Sequence, residues 1–189
     1  MRKSKDKNVH VYPGCAEGLP FPDRSFDAVV AMWILHYVDD LDKSLREMAR
    51  MVDPASPNAR IVICQGAPDN ELVNLINDVC TPLSMENKRP DHQGFLLHTA
   101  ARVFSEEGFG NISLQRVNAY CSFPEKNLAG RCERAADVLG RFWHQEDPNF
   151  EKMKEALIPA MKTHFAGRPH AIGDQGVVLI ARPQAGSRN

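Results

Sequence analysis

The sequence has no apolar run near the roughly 20 residues that a membrane-spanning helix needs. It has no excess of either charge: 23 Lys and Arg stand against 24 Asp and Glu, a formal net charge of -1. Without a basic surplus there is no electrostatic reason to expect a phosphate backbone as partner, so neither nucleic acid nor a membrane is expected. The basic stretch over residues 1–7 lacks the apolar segment of a signal peptide and reads as a solvated end. Cysteine is sparse. The five, at positions 15, 64, 80, 121 and 132, are odd in number with no C-x-x-C pair, which argues against a disulfide framework. Cys64 and Cys121 lie in apolar runs, as small buried residues of a reducing compartment do, and the chain reads as cytoplasmic. His92, His98, His144, His164 and His170 form no H-x-x-x-H or Cys/His ligand spacing, so no metal is expected. Ser25 and Ser105 lack a nucleophile elbow. Internal repeats are absent, and no G-x-G-x-x-G occurs.

What remains is a soluble globular chain of 189 residues, 43% apolar and 25% charged, long enough to bury a real core. Residues 9–12 carry a short strand signal stopped by Pro13-Gly14. A turn-rich stretch over 18–25 leads into an almost unbroken apolar run over 26–35. Continuity rather than alternation predicts a strand covered on both faces, as in a parallel sheet. Asp39 or Asp40 then caps a helix whose Leu41, Leu45, Met48, Ala49 and Val52 form one apolar stripe. Asp42–Arg46 and Lys43–Glu47 have the i,i+4 spacing of solvent-side pairs, and Pro54 ends the helix. Residues 61–64 are a second apolar strand, which completes a right-handed parallel crossover.

Beyond it the spacing predicts a helix over 69–84, a polar loop over 85–94, a helix over 96–107 closed by Gly108, and a strand over 111–122. Helices over 127–144 and 148–165 follow, the second kinked at Pro159, then a strand over 176–181 and a disordered tail over 184–189. The order is β-β-α-β-α-α-β-α-α-β: an α/β fold, a mostly parallel sheet with helices on both faces.

Open α/β sheets bind ligands at the carboxyl ends of their parallel strands. Those ends fall at Cys15, Ala16 and Glu17, at Ala31, Met32 and Trp33, and at residues 65–67. Met32 and Trp33 equally suit plain core packing, and Glu17 equally suits a solvated turn. His36, just past a strand end, has the titration range of a general base; a histidine fixed by a loop hydrogen bond is its bland alternative.

The stretch Gly14-Cys15-Ala16-Glu17-Gly18-Leu19-Pro20-Phe21-Pro22-Asp23-Arg24-Ser25-Phe26-Asp27 resembles the middle motif of class I S-adenosylmethionine-dependent methyltransferases. Residues 35–50 are similar to that family's post-strand loop and following helix, and Glu107-Gly108-Phe109 to the turn before its sixth strand. The resemblance spans about residues 8–182 and is most specific in the first 65. It implies a Rossmann-like fold and S-adenosyl-L-methionine as cosubstrate, with no metal. Cys15, Ala16 and Glu17 would lie beside adenine, and Ala31, Met32 and Trp33 near the transferred methyl. The helices of 127–165 would roof a small-molecule acceptor, for which His36 remains the candidate base read from its position; the oligomeric state is not readable.

The departures from the family are as informative. Cys15 stands where the family usually has Asp, and Pro54-Ala55-Ser56-Pro57 replaces a Pro-Gly-Gly turn. The glycine-rich turn and the first two strands of the family pattern find no counterpart. The expectation is therefore one incomplete methyltransferase-like domain over 1–183, in which the strand over 26–35, central in the family, becomes an edge. The rival expectation is a non-catalytic remnant or interaction module that has lost cofactor binding. A nucleotide-dependent oxidoreductase on a similar sheet needs the same absent glycine turn.

Overall fold

The structure is a computed structural model that describes residues 8–85 and 94–184. The basic start over 1–7, all but the two ends of the loop expected over 85–94, and residues 185–189 of the tail lie outside the described residues. In chain order the elements are β1 (Ala28–Met32), α1 (Leu41–Met51), β2 (Arg60–Gly66), α2 (Glu71–Cys80), α3 (Gly94–Glu106), β3 (Asn111–Ser122), α4 (Leu128–His144), α5 (Phe150–Gly167) and β4 (Ala171–Arg182). Single 3-10 turns sit at Leu35–Tyr37 and Thr81–Leu83.

The four strands form one sheet in the order β1-β2-β4-β3. β1 and β2 are parallel and joined through α1. β4 runs against β3: Phe123 N donates to His170 O at 2.9 Å near one end of the pair, and Gln184 N to Gly108 O at 3.1 Å near the other. The result is a mixed sheet in an α/β, Rossmann-like fold. The chain divides into two compact units.

The first unit comprises Met1–Ile63, Phe95–Ser113 and Leu179–Asn189. Its buried residues include Leu45, Met48 and Ala49 of α1, Ile61 and Ile63 of β2, and Ala100, Val103 and Phe104 of α3. α1 begins where Asp40 caps it, Oδ1 accepting Lys43 N at 3.0 Å. It ends at Val52, whose ψ of 130° leaves the helical region two residues before Pro54. The i,i+4 pairs expected on its outer face are replaced. Asp42 takes a bidentate pair from Arg102 at 2.7 and 2.8 Å, and Arg46 reaches both Glu106, at 2.6 Å, and Glu107. A forked guanidinium held between two carboxylates makes more charge-assisted bonds than a single carboxylate one turn away supplies. α3 stops at Gly108, whose φ of +86° is open to glycine and strained for other residues.

The second unit comprises Cys64–Gly94 and Leu114–Val178. Its core is one cluster built from Leu72, Ile76 and Cys80 of α2, Ala135, Ala136 and Leu139 of α4, Met153, Leu157 and Met161 of α5, and Ile172 of β4. Asn70 and Asn127 cap α2 and α4 by accepting Val73 N at 2.9 Å and Gly130 N at 2.7 Å. Gly140 lets α4 and Phe150 approach closely: a Cβ there would lie 3.1 Å from the Phe150 ring. α5 continues helical through Pro159.

Two further expectations need correction. Residues 9–12 form no strand, and Val9, Val11 and Tyr12 are more than half exposed. A strand exists only as part of a ladder, and no described strand runs beside them. β1 is a strand, but it is not covered on both faces: Val30 and Met32 are 57% and 64% exposed. Among the described residues it stands at the edge of the sheet, next to β2.

Candidate functional site

Hydrogen bonds tie the turn that carries Cys15, Ala16 and Glu17 to Asp39 and Asp40 in the loop that follows β1. The turn before β1 is tight: Gly18 N donates to Cys15 O at 3.1 Å. Two charged side chains of α1 hold the following proline-rich loop. Arg50 grips Glu47 through two bonds of 2.9 Å. It also donates to the carbonyls of Phe21, at 2.9 Å, and Leu19, at 3.3 Å, and to Asp23 at 2.6 Å. Glu47 in turn accepts Leu19 N at 3.1 Å. Both charge states are reinforced: the Arg50 guanidinium holds the Glu47 carboxyl below its ordinary range, and the carboxylates raise Arg50. Tyr12, Phe21 and Phe26 extend the clamp as two edge-on aromatic pairs with centroids 5.3 and 5.1 Å apart.

Glu17 ties this turn to the loop that follows β1. Its Oε1 accepts Asp39 N at 2.9 Å and Asp40 N at 3.3 Å, and its Oε2 accepts the Cys15 thiol at 2.5 Å. The thiol bond first, then the backbone donors, lower its pKa from 4.5 to about 2. The carboxylate also sits at the amino end of α1, where the helix dipole favours negative charge.

Between these anchors, Ala31 is buried and Met32 exposed. Trp33 adopts a φ of 53°, a left-handed conformation that costs a bulky residue of order 1–3 kcal/mol and is common at ligand sites. His36 lies exposed in the 3-10 turn, its ring centroid 3.9 Å from that of Tyr37. Hydrogen bonds thus bring Cys15 and Glu17 to the loop carrying His36, while Met32 and Trp33 reach it along the chain.

The fit of these residues to an adenosyl cosubstrate is partial. The strand end offers an apolar wall and the turn offers backbone groups. The Cys15 sulfur donates to Glu17 instead of presenting a carboxylate acceptor, and the Glu17 oxygens already serve the loop. No second acidic group placed to hold ribose hydroxyls stands among the described residues of this turn. No group of three or more His, Cys, Asp or Glu among the described residues could hold a metal ion. No described helix is long and apolar enough to cross a membrane.

Three residues with structural weight here carried little sequence signal. Glu47 and Arg50 look like ordinary helix-face charges, and only their i,i+3 spacing hints at a pair. Gln65, at the carboxyl end of β2, is fully buried with neither amide atom hydrogen-bonded. Its place in the apolar run is the one clue the sequence offers. The second unit has an open polar cleft lined in part by Glu71, Asp78, Arg116, His164 and Arg168. Its charges are largely self-paired, Arg116 with Asp69 at 2.6 Å and Arg168 with Glu71 at 2.7 Å.

Comparison with known proteins finds likenesses to methyltransferases. The family model described as a methyltransferase domain matches residues 1–56. The uncharacterised methyltransferase YcgJ of Bacillus subtilis is 34% identical over 80 residues, covering 40% of this chain and 31% of YcgJ. The ubiquinone/menaquinone biosynthesis C-methyltransferase UbiE of Hahella chejuensis is 38% identical over 73 residues, covering 38% of this chain and 28% of UbiE. The matches thus span about a third of the length of these curated relatives. Among solved structures, YcgJ superposes with a TM-score of 0.53 at 17% identity over 95% of this chain and 73% of its own. A protein of Anabaena variabilis, described as a methyltransferase of an antibiotic biosynthesis pathway, gives 0.56 at 14% identity over 94% of this chain and 75% of its own. At these identities the structural likeness carries the fold.

Proposed function

We propose that this chain is a class I S-adenosylmethionine-dependent methyltransferase, on the likeness of its residues 1–56 to the methyltransferase domain, and that it supplies part of the cosubstrate site of an enzyme that methylates a small molecule. The observation that carries the proposal is the Glu17 knot, which fixes the turn before β1 against the loop after it through two hydrogen bonds, while a third, from Cys15, braces Glu17 within the turn. An arrangement that holds two loops at one strand end, beside a backbone strained at Trp33, is preorganised for a ligand.

When bound, S-adenosyl-L-methionine supplies an activated methyl group. The chain's own residues position and shield. The turn of Cys15, Ala16 and Glu17 would hold the adenine through its backbone groups. Ala31, Met32 and Trp33 would supply the apolar wall at the methionine end and exclude water there. His36, exposed beyond the strand end, takes the acceptor's proton where the acceptor needs a base. Most of the rate gain in such a transfer comes from alignment of the two reactants. The UbiE relatives are named for C-methylation in ubiquinone and menaquinone biosynthesis, so a carbon acceptor is the chemistry to test first.

A second reading has its own support: the Cys15 thiol at the adenine position and the exposed β1 favour a relative that keeps the fold without the cosubstrate. Titration calorimetry with S-adenosylhomocysteine separates the two. Micromolar binding that weakens on Met32→Asp supports the cosubstrate site; no heat in a folded sample supports the non-binding relative.

A further inference from the structure

The sheet has two edges, and β3 is the longer by far, with twelve residues against five in β1. Natural edge strands are guarded against pairing by charge, proline, bulges or brevity. β3 has no proline, and Arg116 is its sole charged residue. That guard is diverted: Arg116 Nη1 and Nη2 bind the two Asp69 oxygens at 2.6 and 2.9 Å. Along the same strand Leu114, Val117 and Tyr120 stand 60%, 45% and 60% exposed.

We infer that β3 is a self-pairing edge, on which a second copy of this chain docks its own β3 antiparallel about a two-fold axis at Val117. The residue pattern selects the partner and the register. With Val117 opposite its own copy, Leu114 falls opposite Tyr120 twice and Arg116 opposite Asn118 twice. Aromatic–aliphatic pairs on one face of an antiparallel ladder are stabilising. Moving the axis by one residue to Arg116 sets two guanidinium groups opposite each other, a like-charge pair that destabilises the ladder. The pairing also satisfies the outward N–H and C=O groups of the strand, and the contact is isologous, as a two-fold dimer requires. A single strand pair is a small interface, so the dimer is weak and concentration-dependent.

Sedimentation velocity of the full chain, from about 5 to about 200 µM, tests this in a range suited to small interfaces. The expected result is a monomer–dimer equilibrium in the wild type and in Val30→Lys on the other edge, and a monomer throughout for Leu114→Lys/Val117→Lys. Both lysines replace exposed side chains, and a circular dichroism spectrum like that of the wild type identifies a folded variant. A second variant reads the register even if the lysines unfold the chain. In a Cys15→Ser background, Leu114→Cys/Tyr120→Cys oxidises to a covalent dimer, whereas Leu114→Cys alone, facing Tyr120 of the other copy, does not. A wild type that stays monomeric overturns the inference. So does association that survives Leu114→Lys/Val117→Lys, or a double-cysteine variant that forms no covalent dimer.

Discussion

β1 and β2 are written in the same language and live in different places. Both are runs of aliphatic residues with no alternation, Ala-Val-Val-Ala-Met and Ile-Val-Ile-Cys. Ile61 and Ile63 are fully buried, whereas Val30 and Met32 are exposed. The difference is position: β2 has a strand on each side and β1 on one. Apolar continuity thus records the surroundings a strand is suited to. It does not say that a given stretch of chain supplies them.

The largest effect should separate the two strands directly. Ile63→Ala in β2 removes a fully buried side chain and should cost about 2–5 kcal/mol by urea denaturation. Val30→Ala in β1 should fall within about 0.5 kcal/mol, as exposed substitutions do. Equal costs would show that β1 is covered in solution. Gln65 sharpens the contrast within β2. Its amide is buried unpaired, so Gln65→Leu should raise stability by about 1 kcal/mol or more. A loss would show the amide bonded. Asp40→Ala removes the cap that starts α1 after β1, and should lower stability by about 1 kcal/mol.

The smallest effect concerns pH. Because Glu17 ionises near 2 in the folded chain, below its ordinary 4.5, its tether contributes fully above about pH 4.5 and is lost as pH falls toward 2. A carbon-detected NMR titration of the Glu17 carboxyl should show the depressed midpoint. Cys15→Ala should move it upward, since the thiol bond is the leading cause.

Much of the fold was legible in local chemistry. Asp40, Gly108 and Pro54 marked element ends because capping and φ restrictions act within a few residues. The apolar stripe of α1 was legible because a helix repeats every 3.6 residues. Partner choice was not: Arg46 bonds to α3, some 60 positions along the chain, and i,i+4 spacing carries no word of that. The strand signal at residues 9–12 failed for the same reason, since a strand depends on a neighbour. At the site, motif resemblance singled out Glu17 and the end of β1 along the chain. The work of Glu17, holding Asp39 and Asp40, depends on how two loops meet. Trp33's left-handed backbone left no trace in composition.

Hydrogen exchange of the full chain with and without S-adenosylhomocysteine tests the central claim most directly. If the Glu17 knot and the end of β1 form the cosubstrate site, the ligand slows exchange at residues 15–17 and 31–40 and leaves the α4–α5 pair unchanged. Unaltered exchange at those residues under saturating ligand, or protection confined to the second unit, would contradict it.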